Sequence, residues 1–278
     1  MNIKINRDAL LKPLANVASI VERKHALPIL SNILIQGKDG QVQLTATDLE
    51  MQVSLSFKAE LKEEISTTIS ARKFFDITRS LPDDCVIDIG VKDSRVSVKA
   101  NKSRFAIQTL PAKDYPVMTK SSSEAVVITI SQIQLKRLLK QVEFAMAQQD
   151  IRYYLNGLLF EVNGNQLNIV GTDGHRLSFT SVYLDQNYNK TEVILPRKTV
   201  IELIKLLNDT EELVSVELYK GQVSFNFNDI QLISKVIDGK FPDYTRVIPE
   251  GHNNQFTIDR AQFLTSLQRA SILSNEKY

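Results

Sequence analysis

Short stretches of alternating apolar and polar residues, bounded by turn residues and interrupted by helical stripes, organise the chain from its first residues onward. Ile3 and Ile5 flank polar positions as in a half-buried strand, and Leu10, Leu14 and Val17 then recur at spacings of four and three, which puts them on one helical face. The pattern predicts a strand at Ile3 to Ile5 and a helix from about Asp8 to Val21. Pro13, which has no amide hydrogen to give, should bend or shorten that helix. Strands follow at Ile33 to Gln36, Val42 to Thr47 and Gln52 to Phe57, with Gly40 turning the chain between the first two. The order then repeats: a strand at Thr67 to Ile69, a helix after Ser70 with Phe74, Ile77 and Leu81 as its apolar face, and strands around Val86 to Val91, Val96 to Lys99 and Phe105 to Leu110. Strand, helix and three strands, taken twice, predict an α+β class with antiparallel sheets and helices gathered on one face.

The whole pattern recurs. Thr47-Asp48 returns as Thr172-Asp173, and Arg72-Lys73 as Arg197-Lys198, both 125 residues on. Val42-Gln43-Leu44 returns as Leu167-Asn168-Ile169 at the same distance, and Asp114-Tyr115-Pro116 faces Lys240-Phe241-Pro242 at 126. A constant offset with almost no gap marks a duplicated domain. The second copy places helices near Ser131 to Gln148 and Pro196 to Asn208. Ile5-Asn6, Ile130-Ser131 and Ile258-Asp259 each set a strand residue before a good helix cap, so a third copy begins near the end, with Phe263, Leu267 and Ala270 on its first helix. The expected domains are 1–121, 124–250 and the start of a third at 255–278, with Ser121-Ser122-Ser123 and Glu250 to Asn254 as linkers. The sequence reads as a fragment, or as a form cut inside that third repeat.

Composition narrows the function. Hydrophobic residues make up 43% and charged residues 24% of 278, as in a globular protein. No window approaches a membrane span and the start lacks the apolar core of a signal peptide, which reads as cytoplasmic. Cys85 is the only cysteine, and His25, His175 and His252 have no ligand spacing, so the sequence implies neither a disulfide nor a metal or other cofactor. The net charge is only +2, but its distribution is uneven: the five predicted helices hold 13 Lys and Arg against five Asp and Glu. Helices on one side would make that side basic, a surface suited to phosphate contact without base choice.

Gly171 to Leu177 gathers a carboxylate, an imidazole and a guanidinium, and it admits two readings. One is a small-substrate active site on Asp173, His175 and Arg176; the other is a docking surface. Comparison with Ala46 to Met51 assigns Thr172-Asp173 to a strand-end feature common to both copies and leaves Gly174-His175-Arg176-Leu177 without a matching counterpart, which places the docking function there. A monomeric adaptor is a third reading. No glycine-rich phosphate loop or nucleophile elbow accompanies the cluster.

Several runs together carry a resemblance: Ala71-Arg72-Lys73-Phe74-Phe75-Asp76, Gln149 to Gly157, Thr172 to Leu177, Gly239-Lys240-Phe241-Pro242-Asp243-Tyr244, and Ile272 to Lys277. In these the chain resembles, over its whole length, the beta subunits of bacterial DNA polymerase III, the sliding clamps. That resemblance implies a DNA-clamp fold of three similar domains, a homodimeric ring around duplex DNA with helices facing it, and no enzymatic activity. It implies as partners the replicative polymerase, the clamp loader and other proteins bearing a short linear motif. Carried over by position, it implies a motif pocket from Arg152, Leu155, Thr172, Gly174, His175, Arg176, Leu177, Pro242, Arg246, Val247 and Tyr278. The implied DNA neighbours are Arg23, Lys24, Arg72, Lys73, Gln149, Tyr153, Tyr154, Arg197 and Lys198. The implied subunit interface is Ile77, Leu81, Phe105 and Ile107, with Ile272 and Leu273 on the third domain.

Overall fold

Strand β1 (Asn2–Asn6) ends where the Asn6 side chain accepts from the amide of Asp8 at 2.8 Å, and helix α1 (Arg7–Ala18) starts there. The computed structural model describes residues 2–21, 27–92, 94–249, 251 and 253–274, so Arg23, Lys24, His25 and Tyr278 lie outside the described residues. The chain divides into two units, Met1–Phe241 and Pro242–Tyr278.

In the first unit α1 is followed by β2 (Asn32–Lys38), β3 (Gln41–Thr47), β4 (Met51–Lys58), β5 (Glu60–Leu61), β6 (Ile65–Ser70), α2 (Ala71–Ser80), β7 (Val86–Lys92), β8 (Arg95–Ala100) and β9 (Ser103–Gln108). The second copy supplies β10 (Val126–Ser131), α3 (Gln132–Val142), β11 (Gly157–Thr172), β12 (Leu177–Pro196), α4 (Arg197–Leu206), β13 (Leu213–Leu218), β14 (Gln222–Phe227) and β15 (Ile230–Lys235). All the paired strands are antiparallel, and the α+β expectation stands. Leu10, Leu14 and Val17 are buried as their spacing requires, and Leu135, Leu139 and Val142 repeat them in α3.

One sheet has the order β5-β1-β7-β8-β9, and a second runs β10-β13-β14-β15-β4-β3-β2-β6, taking four strands from each copy. The two copies meet at β15 and β4, where Ile230 faces Leu55 and Ser234 faces Met51. Val53 and Leu232, opposite each other, are fully buried. A single hydrophobic cluster extends through both copies, from Leu14 and Phe74 to Phe160 and Phe225. Complete burial of a side chain of that size contributes about 2–3 kcal/mol.

Three expectations need correction. Helix α1, expected to reach Val21, ends at Ala18, shortened but unbroken at Pro13, with Leu10, Leu14 and Val17 holding both halves against the core. The helix expected to reach Gln148 ends at Val142 and passes into a single 3-10 turn, Glu143–Ala145. There the chain turns inward, burying Ala145, Met146 and Ala147, and the Ala147 amide donates to the Leu155 carbonyl at 3.0 Å. The separate strands of the second copy are joined into β11 and β12, of 16 and 20 residues, whose register shifts on either side of Gly164.

The second unit holds a 3-10 turn at Tyr244–Arg246 and helix α5 (Arg260–Ser271), started by Asp259, which accepts from the Gln262 amide at 2.8 Å. Phe263 and Leu267 share a face of α5 as expected and remain exposed, as do Ile272 and Leu273 beyond it.

Candidate functional site

The turn between β11 and β12 is built by side chains hydrogen-bonded to its own backbone. Thr172 Oγ1 donates to the Arg176 carbonyl at 2.7 Å and accepts from the Gly174 amide at 3.1 Å. Asp173 Oδ1 accepts from the amides of His175 and Arg176 at 2.9 and 3.0 Å, and Oδ2 accepts from Arg176 Nε at 2.9 Å. Burial pushes the Asp173 carboxyl up, but these amides and Arg176 outweigh it and leave its pKa below the ordinary value. Both oxygens are thus engaged in holding the turn, and the histidine meets Asp173 through its backbone amide. That arrangement is a cap, not a base poised beside an imidazole.

The same turn joins β3 to β4. Thr47 Oγ1 donates to the Met51 carbonyl and accepts from the Leu49 amide, while Asp48 Oδ1 accepts from Glu50 and Met51. Leu49 and Gly174 occupy the same left-handed step, at φ 75° and 88°. The equivalence therefore runs through the whole turn, further than the residue types disclose, and only the outward side chains differ.

Around the second turn lies the loop Gln149 to Asn156. Arg152 grips Asp150 through two nitrogens, Nε at 3.0 Å and Nη2 at 2.9 Å, and donates from Nη2 to the Asp173 carbonyl at 3.2 Å. Arg152 holds the Asp150 carboxyl down at about 2. The Asn156 side chain closes the loop, accepting from the Asp150 amide and donating to its carbonyl. A Cβ at Gly174 would sit 3.0 Å from Arg152 Nη1, so the glycine admits the guanidinium as well as the left-handed backbone. Arg176 also lies over the Phe144 ring at 5.6 Å.

Arg152, Leu155, Thr172, Gly174, His175, Arg176 and Leu177 are thus brought together on one turn and one loop. Gly174, His175 and Arg176 are exposed, Leu177 is half-buried, and Leu155 is buried beneath them. Pro242, Arg246 and Val247 belong to the second unit, where all three are exposed.

The basic helix starts form a second constellation. Arg72, with Ala18, Ser31, Ser70, Phe75 and Arg79, lines a cleft of about 500 Å³. Its counterpart in the second copy, about 470 Å³, is lined by Gln149, Asn156, Arg197, Lys198 and Ile201. Arg72 and Lys73 are exposed, whereas Lys198 reaches across to the buried Asp48 and binds it. Burial pushes the Asp48 carboxyl up, but Lys198 and the amides of Met51 and Glu50 more than offset it. Tyr153 is exposed and Tyr154 half-buried, their rings edge to face at 5.9 Å.

Two family models match the chain: the N-terminal domain of the DNA polymerase III beta subunit over residues 1–119, and its central domain over residues 129–243. A beta sliding clamp of Pseudomonas putida is 44% identical over 282 aligned residues that take in 100% of this chain and 76% of the relative. The chain belongs to the DNA polymerase III beta-subunit family, the sliding clamps. The Escherichia coli beta sliding clamp is 41% identical, again over 100% of this chain and 76% of its own length. Among solved structures, a sliding clamp from Pseudomonas aeruginosa bound to griselimycin superposes with a TM-score of 0.94 at 43% identity, covering 100% of this chain and 76% of that one.

For this member of the family, the remaining expected positions fall at sheet and helix edges. Phe105 and Ile107 lie on β9, the end strand of the five-stranded sheet, Phe105 half-buried and Ile107 buried. Ile77 is half-buried on α2, and Leu81 is buried at 5% exposure as the residue capping that helix. Sequence reading missed Asp150, Asn156 and Phe144, which shape the loop and turn. The Asp-x-Arg spacing of Asp150 and Arg152 is the one local signal that could have disclosed the grip.

Proposed function

We propose that this chain acts as a DNA sliding clamp, a ring-forming processivity factor that encircles duplex DNA and tethers a replicative polymerase and other partners through a short-motif pocket. The observation that carries this reading is the duplication itself. Arg72-Lys73 and Arg197-Lys198 stand at equivalent helix starts, and Arg72 and Arg197 each edge a cleft of similar size. Repeated basic helix starts are suited to a DNA backbone, which repeats without regard to sequence. In this reading Arg23, Lys24, Gln149, Tyr153 and Tyr154 join them against DNA. Arg152, Leu155, Thr172, Gly174, His175, Arg176 and Leu177, completed by Pro242, Arg246, Val247 and Tyr278, take the linear motif of the polymerase or clamp loader. Gly174 supports this role by admitting the Arg152 guanidinium, which holds the turn against the neighbouring loop. Ile77, Leu81, Phe105 and Ile107, with Ile272 and Leu273, serve the subunit interface of the homodimer. The three domains divide at 1–121, 124–250 and 255 onward, and the protein works in the cytoplasm as a tether without catalytic turnover.

Retention by a ring is topological, so escape requires opening a protein interface and need not depend on salt-sensitive phosphate contacts. A full-length version loaded onto nicked circular DNA should stay bound through a high-salt wash and be released when the circle is linearised. Unchanged retention after linearisation overturns the topological mechanism.

A further inference from the structure

The segment from Leu110 to Ser121, which joins the two repeats, crosses the eight-stranded sheet from β6 toward β13. Thr68 on β6 accepts from the Leu110 amide at 3.1 Å and donates to its carbonyl at 2.8 Å, and Tyr115 donates to the Asn32 carbonyl of β2 at 3.1 Å. Met118 is held by Gln52 on β4, Thr119 and Ser121 by Gln222 on β14, and Lys120 by Glu217 on β13. The sheet runs β6-β2-β3-β4-β15-β14-β13, so these fastening points pass from the first repeat to the second across the boundary of β4 and β15.

The two glutamines act alike. A carboxamide carries a donor and an acceptor side by side, so it can engage a backbone amide and a carbonyl together. Gln52 Oε1 accepts from the Met118 amide at 2.8 Å, and its Nε2 donates to the Met118 carbonyl at 3.3 Å. Gln222 Oε1 accepts from the Ser121 amide at 2.8 Å, and its Nε2 donates to the Thr119 carbonyl at 3.1 Å. Both lie on the face of the sheet turned away from α4. Ser234, whose Oγ is 2.7 Å from Thr199 Oγ1 of α4, pairs with Met51 on the helix side. Gln52 and Lys235, each one residue further on, therefore point the other way, and Gln222 pairs with Lys235. Gln52 belongs to the first repeat and Gln222 to the second, yet the residues they hold, Met118 and Thr119, are consecutive. The segment crosses the boundary in one peptide bond, without slack.

We propose that this segment is a strap that limits bending between the two repeats. On the helix side the repeats are joined by Lys198 and Asp48, and by Ser19 Oγ, which donates to Glu202 Oε2 at 3.0 Å. Bending toward the helices widens the outer face. Consecutive Cα atoms stay about 3.8 Å apart, so that widening pulls Gln52 or Gln222 off the strap. Bending the other way pulls on Lys198 and Ser19. The two fastenings oppose motions of opposite sense, and the strap sets the limit on the helix side. This inference rests on the shared sheet and is independent of DNA or motif binding.

Distance measurement on the whole chain tests it. Spin labels at Ser66→Cys on β6 and Thr129→Cys on β10, in a Cys85→Ala background, sit on the two end strands of the sheet, about 34 Å apart. Their distance distribution should be narrow, and Gln52→Ala with Gln222→Ala should broaden it about twofold, toward shorter distances. In the same double variant the Met118 and Ser121 amides should exchange with deuterium at least about tenfold faster. Inserting two glycines between Met118 and Thr119 slackens the strap with both glutamines kept, and should broaden the distribution equally. Distributions that stay narrow in both altered chains overturn the proposal, as do Met118 and Ser121 amides that stay protected in the double variant. Loss of protection at Val53 and Leu232 overturns it too, since the boundary would then be unfolding and not bending.

Discussion

Asp48 and Asp173 occupy the same place in the same turn, yet one faces Lys198 across a repeat boundary and the other faces Arg176 within its own turn. The difference gives Asp48 a larger share in stability. Asp48→Ala strips acceptors from two backbone amides and leaves Lys198 without that carboxylate, and it should destabilise the protein by about 2–3 kcal/mol in urea unfolding. The pKa of Asp48 is lowered from 3.8 in the folded chain, so its contribution is complete above pH 4 and lost as pH falls through the folded value. An Asp48→Asn chain should therefore lose less stability below pH 4 than the parent. Tyr115 has the opposite sense at the other end of the scale. Its phenol is buried and donates to the Asn32 carbonyl at 3.1 Å, and burial pushes its pKa up to about 12. The unfolded chain ionises near 10, so the stabilisation is present in full below pH 10 and should be lost between pH 10 and 12; Tyr115→Phe should flatten that fall in thermal melts. At Gly174, Ala should cost about 1 kcal/mol in the left-handed backbone and displace Arg152. Titration of a short acidic or apolar motif peptide should register that displacement as weaker binding with the global fold retained in circular dichroism.

At the scale of elements, the hydrophobic stripes made most of the fold legible. Leu10, Leu14 and Val17 placed α1, and Ile87 and Ile89 placed β7, because each lies on a face that must be buried. Pro13 does not break the helix for a physical reason: losing one amide donor costs less than tearing a buried stripe in half. Replacing Pro13 with Ala should raise stability by about 1–2 kcal/mol in denaturant midpoint, since the helix already has the geometry the substitution favours. The end of α3 was not legible, because the inward turn after Val142 depends on the distant Leu155 carbonyl. The site was legible in part. The repeat offset isolated the 172–177 turn, and the Arg-Lys pairs marked both helix starts. Lys198 reads in sequence as a cation for solvent or phosphate, and nothing local announces a carboxylate 150 residues away.

At the scale of the molecule, two copies of one domain share a sheet and a hydrophobic cluster, with Glu50 and Lys235 adding a surface ion pair across the boundary at 3.1 Å. Residues 1–241 should consequently unfold in one calorimetric transition, with a van't Hoff enthalpy equal to the calorimetric one. Two resolved transitions would show that the repeats unfold separately. The pairing of β4 with β15 also has a temporal meaning. Backbone amides at a boundary between domains commonly exchange with solvent through local opening, without global unfolding. Here the amides around Val53 and Leu232 lie in the middle of an eight-stranded sheet with both side chains fully buried. Their deuterium uptake should be among the slowest in the chain, so that by the clock of exchange the seam between the two repeats belongs to the core.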